Sequence, residues 1–115
     1  MAIFHVTTRS LWEAAEGVGS YRMSTKGATL DEVGFIHASS AEQLPIVASF
    51  LYRDSDEPLV VLELDDVGIR ASGVPIPWED GGAGELFPHI YGALDTAFVT
   101  AVHPAEFDPD GVLRY

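Results

Sequence analysis

Three of the four histidines in this 115-residue chain recur in one local order. Read as extended segments, Ile3, His5 and Thr7 share one face of the first. Phe35, His37 and Ser39 share a face of the second, and Phe87, His89 and Tyr91 share a face of the third, because side chains two apart on a strand point the same way. Each face reads apolar, imidazole, hydroxyl. Imidazole donates or accepts a hydrogen bond and titrates near neutrality, hydroxyls do the same without titrating, and neighbouring rings stack on flat molecules. Polar groups set among apolar ones are the make-up of a small-molecule site. A lone histidine half-buried on a strand is commonly a core residue bonded to backbone, so the functional reading requires the three faces to meet in one cleft. His103, before Pro104, has no such neighbours and receives no role.

Other chemistries find little support. There is no cysteine and no strong nucleophile beside a base. No histidine pair or His-Glu pair has metal-ligand spacing, so no metal is expected; a metal would need three strands, with Glu63 or Glu79 as the acid. Phosphate-loop, dinucleotide and nucleophile-elbow motifs are absent. The run Gly81-Gly82-Ala83-Gly84 is flanked by Glu79, Asp80 and Glu85, which suits a mobile loop over a site better than a phosphate cradle.

Those faces need elements to hold them. Ala2–Thr7 alternates as a first strand. Ser10-Leu11-Trp12-Glu13 has the form of a capping box opening a helix that Gly17 and Gly19 stop. Ser24–Val33 reads as a loop or lid, Gly34–Ser39 as a second strand, and Ser40-Ala41-Glu42-Gln43 as a box opening a second helix to about Tyr52. Pro58–Asp65 is the clearest central strand. Pro75 and Pro77 confine Val74–Glu79 to an edge or a connection. Glu85–Gly92 and Ala97–His103 are extended, and Asp108–Gly111 turns the tail back. The expected fold is α+β: a compact single domain, 1–115, of short antiparallel or mixed strands with two amino-terminal helices.

Composition narrows the partners. Hydrophobic residues at 47% and charged residues at 21% describe a globular chain. A net charge of −12 argues against double-stranded nucleic acid as a partner. Residues 1–53 hold four basic and five acidic side chains, while 54–115 hold two and thirteen, so an anion meets less repulsion in the first half. No apolar run reaches the roughly 20 residues of a membrane span and no secretory signal is visible, so the expected location is cytoplasmic. The sequence leaves the oligomeric state open.

The segments Ile3-Phe4-His5-Val6-Thr7, Gly34-Phe35-Ile36-His37-Ala38-Ser39 and Phe87-Pro88-His89-Ile90-Tyr91-Gly92, with Trp12, Gln43 and Trp78-Glu79, resemble the family known as domain of unknown function 952. The resemblance runs roughly from Ile3 to His103 and names no reaction. More distantly, the chain is similar to the ADP-ribosyltransferase-like fold, including RNA 2′-phosphotransferases, whose first strand carries a histidine followed two residues on by Thr or Ser; His5 and Thr7 match. Where many such transferases have a glutamate in the third motif, this chain has His89 or Tyr91, and Glu79 and Glu85 lie upstream. That likeness implies a cleft that binds NAD, as substrate, or a related nucleotide-like small molecule. His5 and Thr7 would fix a ribose, His37 and Ser39 a phosphate or second ribose, Tyr91 or Phe35 would stack on a base, and Arg9 or Arg22 would neutralise a diphosphate. His37 and His89 are the candidate catalytic residues, His89 polarising an acceptor. Two alternatives stand beside it: a module that binds a metabolite or peptide without catalysis, and a metal-dependent hydrolase using the three histidines.

Overall fold

A computed structural model describes residues 2–115. In chain order the elements are β1 (Ile3–Thr8), α1 (Arg9–Val18), β2 (Ser20–Tyr21), β3 (Met23–Thr25), β4 (Ala28–Thr29), α2 (Leu30–Val33) and β5 (Ile36–His37). There follow α3 (Leu44–Tyr52), β6 (Leu59–Leu64), α4 (Asp66–Ala71), β7 (Trp78–Asp80), β8 (Leu86–Ile90) and β9 (Leu94–Asp95). A 3-10 turn (Thr96–Phe98), β10 (Val99–Phe107) and β11 (Leu113–Arg114) complete the chain. This is a compact α+β domain whose ladders, among the described residues, are all antiparallel.

The apolar run of β6 needs cover on both sides, and it obtains it. β6 lies inside a four-stranded sheet of order β1-β6-β10-β11. On one face Ile3, Val60, Leu62 and Leu64 pack with Trp12 and Ala15 of α1 and with Ile36 and Ile90. On the other, Val6, Leu59 and Val61 pack with Leu44, Ala48 and Tyr52 of α3. A second sheet of order β5-β8-β7 meets the first where Phe4 and Ser39 exchange backbone hydrogen bonds of 2.8 Å. That junction brings the second histidine strand beside the first.

The helices depart from expectation in instructive ways. Thr8, not Ser10, caps α1, accepting from the Leu11 amide at 3.4 Å. β1 pairs with β6 up to Thr8, and the Arg9 amide still donates to Pro58, so the helix begins the moment the ladder ends. Gly19 stops α1 at φ 89°, a left-handed conformation that favours glycine. The Ser40–Gln43 box forms with both reciprocal bonds, at 3.0 and 3.2 Å, but closes a turn; α3 starts at Leu44, which leaves Pro45 in the first helical turn. Two helices near the amino terminus become four among the described residues: the Ser24–Val33 segment holds all but the first residue of the β3–β4 hairpin and four-residue α2, and α4 follows β6. No described helix is long and apolar enough to cross a membrane.

Candidate functional site

β1 turns its imidazole and hydroxyl inward. His5 is 4% exposed and Thr7 1%. The His5 Nδ1–H donates to the His37 carbonyl at 2.6 Å, since a carbonyl only accepts. The Tyr21 hydroxyl bridges His5 Nε2, at 2.8 Å, and Thr7 Oγ1, at 2.9 Å. Burial pulls the His5 pKa down to about 4, outweighing the carbonyl bond, which favours the charged ring. Both ring nitrogens are thus committed to protein, and His5 works as a brace behind β5. Neither His5 nor Thr7 is placed to hold a ribose at an open surface. Tyr21, the residue that closes this network, gave no sequence signal beyond its place in a short extended stretch.

β5, β8 and β7 present the other two faces together. His37 pairs directly with His89 across the β5–β8 ladder, their ring centroids 5.6 Å apart. Phe35 stacks on His89 at 3.9 Å, Tyr91 lies 5.5 Å from Phe35, and Phe87 lies 5.0 Å from His37. Glu79 enters the same face from β7. Its Oε1 accepts from His89 Nδ1 at 2.9 Å and from the Tyr91 hydroxyl at 2.5 Å. A carboxylate only accepts, so Nδ1 carries a proton in this contact. The bonds from Tyr91 and then His89 hold the Glu79 carboxyl below its ordinary range, and the same carboxylate raises the Tyr91 phenol. Glu79 is displaced from the third motif by sequence position, yet hairpin register sets it opposite Phe87 and diagonal to His89. Counting back across the Gly81–Gly84 turn is the signal that finds it.

Beside this face runs a groove of about 520 Å³ lined by Phe35, His37, Phe87, Val33, Ile46 and Phe50, with the glycine-rich loop at its rim through Gly81 and Ala83. Phe50 is 89% exposed and Ile46 75%, unusual for large apolar side chains. Gln43 ties the base of α3 to the loop, donating to Glu85 at 3.0 Å and to the Leu86 carbonyl at 2.8 Å. Burial, with His5 and His89 close by, lowers the His37 pKa to about 4, so its ring is neutral at pH 7. Among the described residues no hydrogen bond engages that ring. Behind it lies a cavity of about 10 Å³, which Ser39 lines with His5 and Ser24.

The structure does not bring every expected residue here. Arg9 lines a separate concavity of about 900 Å³ with Arg53 and Arg114, balanced by Asp56, Glu57 and Glu106, and it shares no lining residue with the groove. Arg9 starts α1 at the end of β1, where the chain has already left the histidine face. Arg22 is spent on Asp31 at 2.7 Å. The larger concavity holds no imidazole, whereas the groove joins aromatic walls to a histidine floor. Among the described residues no three His, Cys, Asp or Glu side chains gather as a metal-ligand set. His103 pairs with Glu63 at 3.2 Å, apart from the groove-lining residues.

Residues 6–102 match the family described as Protein of unknown function (DUF952). The fold is similar to the crystal structure of protein CC0527 from Caulobacter crescentus, at 30% identity and a TM-score of 0.83, over 99% of this chain and 94% of that one. A double mutant of the same protein gives the same figures, and its solution NMR structure gives 31% identity and a TM-score of 0.75 over 96% and 90%. No curated protein matches the sequence.

Proposed function

The chain belongs to the DUF952 family of proteins of unknown function, and from that premise we propose that it binds the ring end of a nucleotide-like metabolite, NAD or an ADP-ribosyl relative, in the groove beside His37. The observation that carries this reading is a neutral imidazole, free of protein hydrogen bonds among the described residues, set between aromatic rings in an otherwise apolar groove. A flat ring stacks on Phe35 or Phe87, and one donor and one acceptor on His37 meet an uncharged polar group. A phosphate finds less: the ring is uncharged, and Glu85 is the charged residue lining the groove. The diphosphate of such a ligand therefore points to solvent. The ADP-ribosyltransferase-like fold belongs to this proposal, with the His-x-Thr order of β1 acting from behind, through the His37 carbonyl.

For catalysis, Glu79 orients His89, a pair outside the residues that line the groove, and His89 would polarise an acceptor reaching the bound ribose from that side. A second reading, binding without turnover, is favoured by Phe35, which covers the His89 ring at 3.9 Å. Calorimetric titration of NAD, ADP-ribose and adenosine, with NMR shifts at Phe35, His37 and Phe87, tests the site. Binding that weakens about tenfold in His37→Ala, the worth of one or two hydrogen bonds, is the expected result. No binding by any of the three at millimolar concentration rejects it. Release of nicotinamide from NAD on long incubation separates the transferase reading from the binding module.

A further inference from the structure

We infer that the small cavity behind His37 is the inner end of the groove and takes the terminal oxygen or nitrogen of one uncharged polar group on the bound ring, a carboxamide or a hydroxyl, on the hydroxyl of Ser24. The inference rests on the groove being a ring-binding site and names what that ring must carry.

Ser24, on β3, is 0% exposed, and its Oγ has no hydrogen-bond partner. Buried hydroxyls are nearly always paired, because an unpaired one loses its bonds to water and gains nothing in return. The cavity it lines, about 10 Å³, is room for a single water-sized atom. Ser24, Thr25, His37, Val47 and Leu51 line both this cavity and the 520 Å³ groove, so the two spaces abut. His5 also lines the cavity, but its ring nitrogens are taken by the His37 carbonyl and Tyr21. That leaves the Ser24 hydroxyl, buried without a partner, and the neutral His37 ring as complementary partners for one small group, with the Ser39 hydroxyl on the same lining. A carboxamide offers both a donor and an acceptor, and a hydroxyl offers the same on one atom. A carboxylate brings a charge into a dry space where neither partner carries a positive one. Ser24 thus selects a neutral polar substituent over both its charged and its apolar counterparts.

The test titrates benzamide, phenol, benzoate and toluene into the intact protein at pH 7.5, following amide shifts around Ser24 and His37. Benzamide or phenol is expected to bind at least tenfold tighter than toluene and benzoate. Ser24→Ala should erase that preference while leaving toluene affinity unchanged and the thermal midpoint unchanged or raised, since the deleted hydroxyl is buried with no protein partner. Equal binding of all four rings by the wild-type protein overturns the inference and leaves the groove reading intact. A preference that persists in Ser24→Ala overturns the assignment to Ser24. Failure of every ring to bind removes the groove reading itself.

Discussion

β1 and the segment Phe35–Ser39 around β5 carry the same apolar–imidazole–hydroxyl order, yet one histidine is sealed and the other borders a groove. His5 is 4% exposed with both ring nitrogens bonded, whereas the His37 side chain has no hydrogen bond among the described residues and faces the open space between α3 and the β7–β8 hairpin. The difference comes from what lies over each face. Tyr21 closes β1, while among the described residues β5 pairs only with β8 and leaves its outer side to aromatic rings. A repeated local order therefore divides into a brace and a binding edge, and the brace grips the edge through the His37 carbonyl.

The most direct way to break this comparison is to delete each ring. His5→Ala leaves the His37 carbonyl unpaired and opens a ring-sized hole, and should cost about 3–5 kcal/mol in urea unfolding. His37→Ala should cost roughly 1 kcal/mol, since it removes an edge-of-groove ring with no protein hydrogen bond. Equal costs would erase the distinction between brace and edge.

Acid sharpens it next. Both imidazoles have folded pKa values of about 4, below the ordinary 6.5, so the unfolded chain takes up protons first as the pH falls. Stability is then complete above about pH 6.5 and drains away toward pH 4. Sealed His5 accounts for about 3 kcal/mol of that loss and half-open His37 for less, because solvent relieves its penalty. Urea midpoints from pH 7 to 5 should fall accordingly, and the His5 ring resonances should show no protonation above pH 5. A titration of His5 near 6.5 would contradict its burial.

The smallest effect lies on the third strand. Glu79→Gln weakens the hydrogen bond and removes the charge that together raise the Tyr91 phenol, so that phenol should ionise at lower pH by absorbance titration. Nitrogen NMR should also show the His89 ring losing its preference for a proton on Nδ1. An unchanged tyrosine and an unchanged tautomer would mean that the Glu79 bonds do not persist in solution.

Much of this was legible one residue at a time. Alternation alone assigns His37 and His89 to one side of their strands, with Phe35 and Tyr91 beside them on the same side just past the strand ends, because extended backbone alternates its side chains whatever surrounds it. The apolar run of Pro58–Asp65 announces a central strand, and β6 is one. Local patterns misplace features that depend on where a ladder stops: Thr8 caps α1 because pairing with β6 ends there, not because of the better-looking Ser10 motif. Arg9 looks adjacent to the first histidine strand, but helix entry carries it to the other concavity.

The sequence by itself determined the longer strands β1, β6, β8 and β10, the faces of their histidines and the family, since these follow from residue type, period two and short motifs. Two-residue strands such as β2, β4 and β9 carry too little pattern to be read. Only the tertiary structure decided which imidazole is spent and which is available. It also decided that Glu79 reaches His89 and that Ser24 lies buried without a partner. Those outcomes depend on contacts between residues far apart in the chain, and a hydrogen bond or a cavity exists only once the elements that make it have packed.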